Sequence, residues 1–363
     1  MGKNTKWAII GGGNGGQSMA GHLAIMGFNV RLYDIFQETV DAINSQGGVQ
    51  LSGSVNGFGR LEFATSDIDR AINGADAVMV VAPSTAHRTI AKSCAPFLVD
   101  GQVVIVHPGS TCGALEFRHV LNSEGCRAKI PIAETNSLIY ACRSIKPGLA
   151  HIHGIKKNLV LATMPTRENP RVLSMIQEAF PQISGGKNVL ESSFANTNPI
   201  VHPAPSLLNA SMIESKHEWL YYYEGITPSI GAFVEDMDRE RVQVAKSFGI
   251  DVLPIIEWYR VTYGLEASTL TEAVRKNPAY DGIKGQKTLR TRYVLEDIPN
   301  GLVPLIELGK MQKIEMPRTE VVARLGQYLL KEDFYTNGRT LKNLGIKGMS
   351  SKELVHYVET AER

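Results

Sequence analysis

The sequence predicts an α/β protein, with an N-terminal doubly wound sheet followed by a mostly helical C-terminal domain. Three observations carry this. Short apolar runs alternate with helical patterns in the first half of the chain, the order that builds a sheet with right-handed crossovers. Beyond residue 188 helix-like segments follow one another without competing strand alternation. The length of 363 residues exceeds one typical core and suits two domains. Gly185, Gly186 and several polar residues gather in "PQISGGKNVLESS", which sets the expected domains at 1–188 and 189–363.

The elements follow in order. "KWAIIGG" (6–12) reads as a strand, "GQSMAGHLAIMG" (16–27) as a helix and "NVRLYD" (29–34) as a second strand. "AVMVVA" (77–82) and "QVVIVH" (102–107) are continuous apolar runs, as parallel strands covered on both faces require. "KIPIAE" (129–134) and "NLVLAT" (158–163) read as further strands. "SLLNASMIESKHEWLYYYEG", "ERVQVAKSFGI", "IIEWYRVTYG", "LTEAVRKN", "RTEVVARLGQYLL" and "KELVHYVETAE" supply the helices of the second domain.

Composition narrows the function classes. Hydrophobic residues make up 43% and charged residues 20%, ordinary for a globular protein. A formal net charge of +2 gives no drive toward nucleic acid or an anionic membrane. No apolar run approaches the 18 or so residues of a membrane span. "MGKNTKWAIIGGGNGG" is too soon interrupted for a signal peptide, and Lys6 stands where a myristoylation pattern at Gly2 wants Ser or Thr. Cys94, Cys112, Cys126 and Cys142 lack metal-type spacing and read as reduced thiols of a cytoplasmic protein. No metal site is expected.

"AIIGGGNGGQSMAGHL" places Gly11, Gly13 and Gly16 in a G-x-G-x-x-G pattern between a strand and a helix. Gly11 allows the tight turn, Gly13 lets the backbone approach a pyrophosphate, and Gly16 lets helix and sheet pack closely. The helix N-terminus offers free N–H groups to the phosphates. Asp34 ends the next strand, where a carboxylate accepts from the adenosine ribose. The other reading is a glycine-rich turn with a solvated aspartate, but the context identifies a Rossmann-type dinucleotide-binding domain. Asp34 repels a 2′-phosphate and Ile35 and Phe36 add no cation, so NAD is favoured over NADP. Pro83 and Ser84, at the end of the 77–82 strand, are further cofactor-side candidates. His87 reads as a surface residue at a helix start. Gly109, Ser110 and Thr111 form a loop that borders the nicotinamide or is ordinary turn chemistry.

A nicotinamide dehydrogenase acting on a carbonyl needs an acid, a group that orients it, and usually a cation for the substrate carboxylate. Two stretches offer these. In "NTNPIVHPAPSLLNA", Asn198 and His202 are four apart and share a helical face, making Asn198 a candidate substrate contact. Pro203 and Pro205 remove donors and free the carbonyls of Pro199 and Val201, so a helix here must kink or pause. Alternatively, His202 is a buried histidine satisfied by a carbonyl. In "LRTRYVLEDIPNGLVPL", Arg292 is a bidentate clamp for a carboxylate and Asp297 holds a protonated His202. The plain alternative for both is a surface position.

The chain resembles the opine dehydrogenases, the octopine/nopaline dehydrogenase group, over nearly its whole length. The resemblance rests on "GGGNGGQSMAGHLA", "HPGSTCGALEFR", "ETNSLIYACRS", "VHPAPSLLNA", "YYYEGITPSIG", "NPAYDGI" and "TRYVLEDIPNGLVPLIELG". Within the family it is nearest the bacterial members that join a 2-oxo acid to apolar amino acids. The resemblance implies a reversible NADH-dependent condensation, in which a pyruvate-like 2-oxo acid and the amine of an L-amino acid form an imine. Hydride transfer then gives a secondary amine. The family's acid/base pair falls on His202 and Asp297 and its arginine on Arg292. Its cofactor loop falls on Gly11, Gly13 and Gly16 with Asn14 and Gly15 between them. Cys142 and Tyr280 lie in matched motifs as candidates for lining the substrate cleft. A cytoplasmic homodimer is expected. The competing functions are a plain 2-oxo or 3-oxo acid reductase with no amine, and a nucleotide-binding sensor without chemistry.

Overall fold

The computed structural model describes residues 4–363; Gly2, considered above for myristoylation, lies outside the described residues. The strands are β1 (Lys6–Ile10), β2 (Asn29–Tyr33), β3 (Gly48–Gly53), β4 (Gly57–Arg60), β5 (Phe63–Thr65), β6 (Ala77–Val80), β7 (Val103–Val106), β8 (Ile132–Thr135), β9 (Tyr140–Lys146), β10 (Leu149–Ile155), β11 (Leu159–Met164) and β12 (Ile183–Gly185). Residues 4–109, Gly113–Ser192 and Tyr357–Arg363 form one compact unit, and Ser110–Cys112 with Ser193–His356 form a second.

In the first unit an eight-stranded sheet runs β12-β11-β8-β7-β6-β1-β2-β5. The order turns back at β1, beside β6, with both neighbours parallel to β1. This is the switch point at which α/β sheets open their ligand crevice. β6 and β7 are buried at every residue, which explains their unbroken apolar sequence. One strand departs from the parallel expectation: β11 pairs antiparallel with β8. The chain reaches it through the β9–β10 hairpin, and no crossover helix enforces parallel direction.

A second sheet, ordered β4-β3-β10-β9, is absent from the sequence reading. Its strands are interrupted by glycine and polar residues and lack a long apolar run. It covers the outer side of α1 (Asn14–Ile25), whose other side lies on β1 and β2. Close packing there depends on small residues: a Cβ on Gly59 would come within 2.3 Å of the Gly21 carbonyl. Gln17, 2% exposed, is satisfied by the Gly12 carbonyl, Ser144 Oγ and the Gly148 N–H. The helix is therefore buried on two sides rather than one.

His107 follows β7 and is buried. Its Nδ1 lies 2.7 Å from Thr135 Oγ1, and its Nε2 accepts from the Ile139 N–H. The ring is the neutral Nδ1–H tautomer, because Nε2 must accept. Burial, aided by the Lys156 charge, pushes its pKa down to about 3 from 6.5. Between those values the unfolded chain binds a proton that the folded one refuses, so stability falls as pH drops. Urea unfolding at pH 7 and pH 5 is expected to show roughly 2 kcal/mol of acid-side loss that His107→Gln lacks. Equal losses in both proteins would refute the account.

The second unit is helical. Its elements include α2 (Asn198–Val201), α3 (Pro203–Leu208), α4 (Pro228–Ser247), α5 (Arg292–Leu295), α6 (Val303–Met311) and α7 (Pro317–Leu330). On α4, Arg241 is fully buried, paired with Asp238 and donating to the carbonyls of Phe194 and Leu253. Glu240 on the same helix accepts from the Arg318 and Thr319 N–H groups and so caps α7. The stretch "SLLNASMIESKHEWLYYYEG" is not continuous helix: Pro203–Leu208, Ala210–Glu214 and Tyr221–Gly225 are separate. The Asn209 side chain takes up the Pro205 and Gly225 carbonyls, and Lys216 adopts a positive φ of 60°, which a helix does not tolerate.

Candidate active site

The glycine loop has the geometry that a dinucleotide needs. Gly11 has φ +113°, and a Cβ there would lie 2.4 Å from the Val81 carbonyl. A Cβ on Gly16 would lie 1.6 Å from the Gly11 carbonyl, whereas Gly13 faces open space. Side chains are thus excluded where helix meets turn, and the backbone is bare where a phosphate would approach. Asp34 is buried at 7% exposure. Its Oδ2 accepts the Gly12 N–H and its Oδ1 the Phe36 N–H. These bonds orient the carboxylate and leave acceptor capacity on both oxygens. The residues present fit a bound dinucleotide.

Pro83 precedes a 3₁₀ turn at Ser84–Ala86, with Ser84 buried, just beyond β6. His87 corrects the expectation of a surface residue. It is fully buried, with Nε2 3.2 Å from the Ala82 carbonyl. Cys142 lies beside the glycine loop, its thiol 3.4 Å from the Asn14 carbonyl. Burial raises its pKa, so the group is a thiol rather than a thiolate. Asn14 Oδ1 accepts the Ser144 N–H. Cys142 and Ser144 thus both bond Asn14 of the loop.

The second unit assembles the acid/base candidates. The helix stops at Val201 and restarts at Pro203, so His202 occupies the break, with φ −104° and ψ −57°. The prolines do what the sequence anticipated. Pro205 offers no N–H to the Val201 carbonyl; the Tyr221 hydroxyl approaches that carbonyl at 3.2 Å and donates its one proton chiefly to the His202 carbonyl, at 2.7 Å. Burial raises the Tyr221 pKa, keeping it a donor. His202 Nδ1 lies 2.8 Å from Asp297 Oδ2, with the residues 6% and 2% exposed. Neither is a surface position.

Asp297 follows α5 in a widened turn, its N–H donating to the Arg292 carbonyl five residues back. A π-helix at Ile298–Leu302 continues the widening. Such insertions re-aim side chains and cluster at functional sites. The Arg292 side chain is 60% exposed and lies 3.6 Å from Glu296. Partial desolvation at the base of the side chain works against its charge, but Glu296, Asp297, Tyr293 and Tyr222 together outweigh it and raise the pKa. Asn198 begins α2 one turn before His202, whose N–H donates to the Asn198 carbonyl. Tyr280 stacks on Tyr222 at 3.8 Å and bonds the Tyr259 hydroxyl. Ser110 and Thr111 both donate to the Asn300 carbonyl.

The sequence reading missed Tyr293 and Tyr221. Tyr293 stacks on the His202 ring at 3.9 Å and 2°. Its place four residues before Asp297 is a signal that could have revealed it. Tyr221, in a run of three tyrosines, offered none.

A Rossmann-type unit with a dinucleotide loop, and a helical unit with a buried His–Asp pair beside an exposed arginine, define a nicotinamide-dependent dehydrogenase. Residues 6–113 match the family model of the NAD-dependent glycerol-3-phosphate dehydrogenase N-terminus. Residues 185–330 match that of the NAD/NADP octopine/nopaline dehydrogenase alpha-helical domain. The opine dehydrogenase of Arthrobacter sp. (strain 1C) is 39% identical over 98% of this chain and 99% of that one. The chain belongs to the opine dehydrogenase family, NAD(P)-dependent oxidoreductases acting on CH–NH groups. Solved structures share the fold at 21% identity, with 99% of both chains covered. They include octopine dehydrogenase with NADH and agmatine, at TM-score 0.81, and with NADH and pyruvate, at 0.78.

Proposed function

We propose that this protein catalyses the reversible NADH-dependent condensation of a pyruvate-like 2-oxo acid with the amine of an L-amino acid. The product is a secondary-amine dicarboxylate. The observation that carries the reading is the buried His202–Asp297 pair in a member of this family. Octopine dehydrogenase structures with pyruvate and with agmatine lend support on the side of the oxo acid and the amine.

The assignment gives each residue a task. Residues 1–188 bind the dinucleotide, which when bound supplies or accepts the hydride. Gly11, Gly13, Asn14, Gly15 and Gly16 form the phosphate loop, Asp34 receives the ribose, and Pro83 and Ser84 border the cofactor. Asp34 makes NAD the preferred cofactor over NADP. Residues 189–363 carry the substrate chemistry. Asp297 accepts from His202 Nδ1 and leaves Nε2 to move the proton. Protonated His202 donates to the carbonyl-derived oxygen, which leaves as water when the imine forms. In oxidation neutral His202 takes a proton back. Arg292 binds a substrate carboxylate through its exposed guanidinium. Asn198, Cys142 and Tyr280 are assigned to substrate contacts.

No helix among the described residues is long and apolar enough to cross a membrane. The four cysteines are free thiols, which suits a reducing compartment, and we assign a cytoplasmic homodimer. Light scattering of the purified protein tests the dimer. The function is tested by following NADH oxidation with several 2-oxo acids crossed against a set of amines. Turnover is expected only when both partners are present. Consumption with the oxo acid alone would make the protein a plain reductase, and tight NADH binding without any turnover would make it a sensor.

A further inference from the structure

The acid/base pair leaves one feature of His202 unexplained. A single hydrogen bond at Nδ1 fixes one edge of an imidazole but not its plane. The ring can still rock about its Cβ–Cγ bond within the angular tolerance of that hydrogen bond, and Nε2 swings with it. In the structure the plane is held by a different side chain. Tyr293 lies face to face with the His202 ring, with centroids 3.9 Å apart and planes 2° from parallel.

Tyr293 and Asp297 are four residues apart, so they reach one side of the same helical segment. One grips the edge of the imidazole and the other its face. Tyr293 is itself clamped, with Tyr221 packing edge-on against it at 5.1 Å and 67°. The Tyr221 hydroxyl returns to the His202 carbonyl at 2.7 Å. The contacts close a ring: the His202 backbone to Tyr221, Tyr221 to Tyr293, and Tyr293 to the His202 imidazole. The face of a phenol also carries negative potential, which suits a stacked imidazolium.

We propose that Tyr293 is a positioning residue for the acid/base histidine, holding the imidazole plane so that Nε2 points where the proton is transferred. This rests on the assignment of His202 as acid and base. The Tyr293 hydroxyl meets Tyr222, whereas its aromatic face meets the imidazole, so the role at His202 belongs to the face.

The test compares Tyr293→Leu, Tyr293→Phe and His202→Ala in the full-length protein, assayed with NADH, pyruvate and an active L-amino acid. Tyr293→Leu is expected to lower kcat about tenfold or more, as small misplacements of a reacting group do, with KM for NADH unchanged. Tyr293→Phe is expected to recover most of that loss. A ring-fluorinated phenylalanine at 293 keeps the shape and weakens the negative face, and is expected to fall about threefold or more below phenylalanine. The fluorinated comparison also decides the matter if the leucine variant does not fold. The proposal is overturned if Tyr293→Leu turns over like the parent protein, or if Tyr293→Phe is as impaired as Tyr293→Leu. It is also overturned if fluorination has no effect. An active His202→Ala protein would instead remove the acid/base reading beneath it.

Discussion

His202→Ala is expected to lower kcat by about 10²–10⁴-fold in both directions, the range a positioned acid or base contributes. NADH affinity should stay within about threefold, because His202 is not among the groups assigned to the dinucleotide. The expectation rests on place as much as on residue type. The ring sits in a break between two short helices, and its Nδ1 is committed to Asp297. Only Nε2 remains to exchange a proton. A histidine kept merely for packing would show a different pattern, with lowered melting temperature and near-normal turnover of the folded fraction. That result would sink the catalytic assignment.

The second large effect is expected from Asp297→Asn. Asparagine keeps the size and can still hydrogen-bond, which avoids leaving His202 beside a cavity. It removes the negative charge, and it can offer a donor where Nδ1–H needs an acceptor. Loss of about a hundredfold or more in kcat is expected, as when a buried carboxylate partner of a catalytic histidine is neutralised. Near-normal kcat in a folded Asp297→Asn protein would show that the carboxylate at His202 Nδ1 does not support the proton transfer. Truncation to alanine would be a poorer test, since breaking a buried ion pair costs about 3–5 kcal/mol of stability.

Much of the first unit was legible because its signals are local. A run such as "AVMVVA" is buried on both faces, so composition alone marks the strand. The glycine loop announces itself because positive φ at Gly11 and the close approach at Gly16 exclude side chains. The second sheet was not legible. Its strands, such as "GVQLSG" and "LAHIHGI", gain their apolar partner only when α1 packs against them. His87 was misread as well: a position at a helix start does not fix exposure, and the ring turns back to the Ala82 carbonyl.

Sequence by itself determined the alternation of apolar strands with helices in the first unit, the helical character of the second, the dinucleotide loop, the interruption of helix at His202, and the candidacy of His202, Asp297 and Arg292. These follow from residue type and short spacing, which fix backbone freedom and available chemistry. Tertiary structure alone decided that His202 and Asp297, 95 residues apart, meet at 2.8 Å. It also turned Arg292 outward and set Tyr293 flat against the imidazole. The physical reason is that a side chain's direction depends on small local departures, here a π-type turn and a proline-bounded break. The consequences of such departures appear only when distant segments pack together.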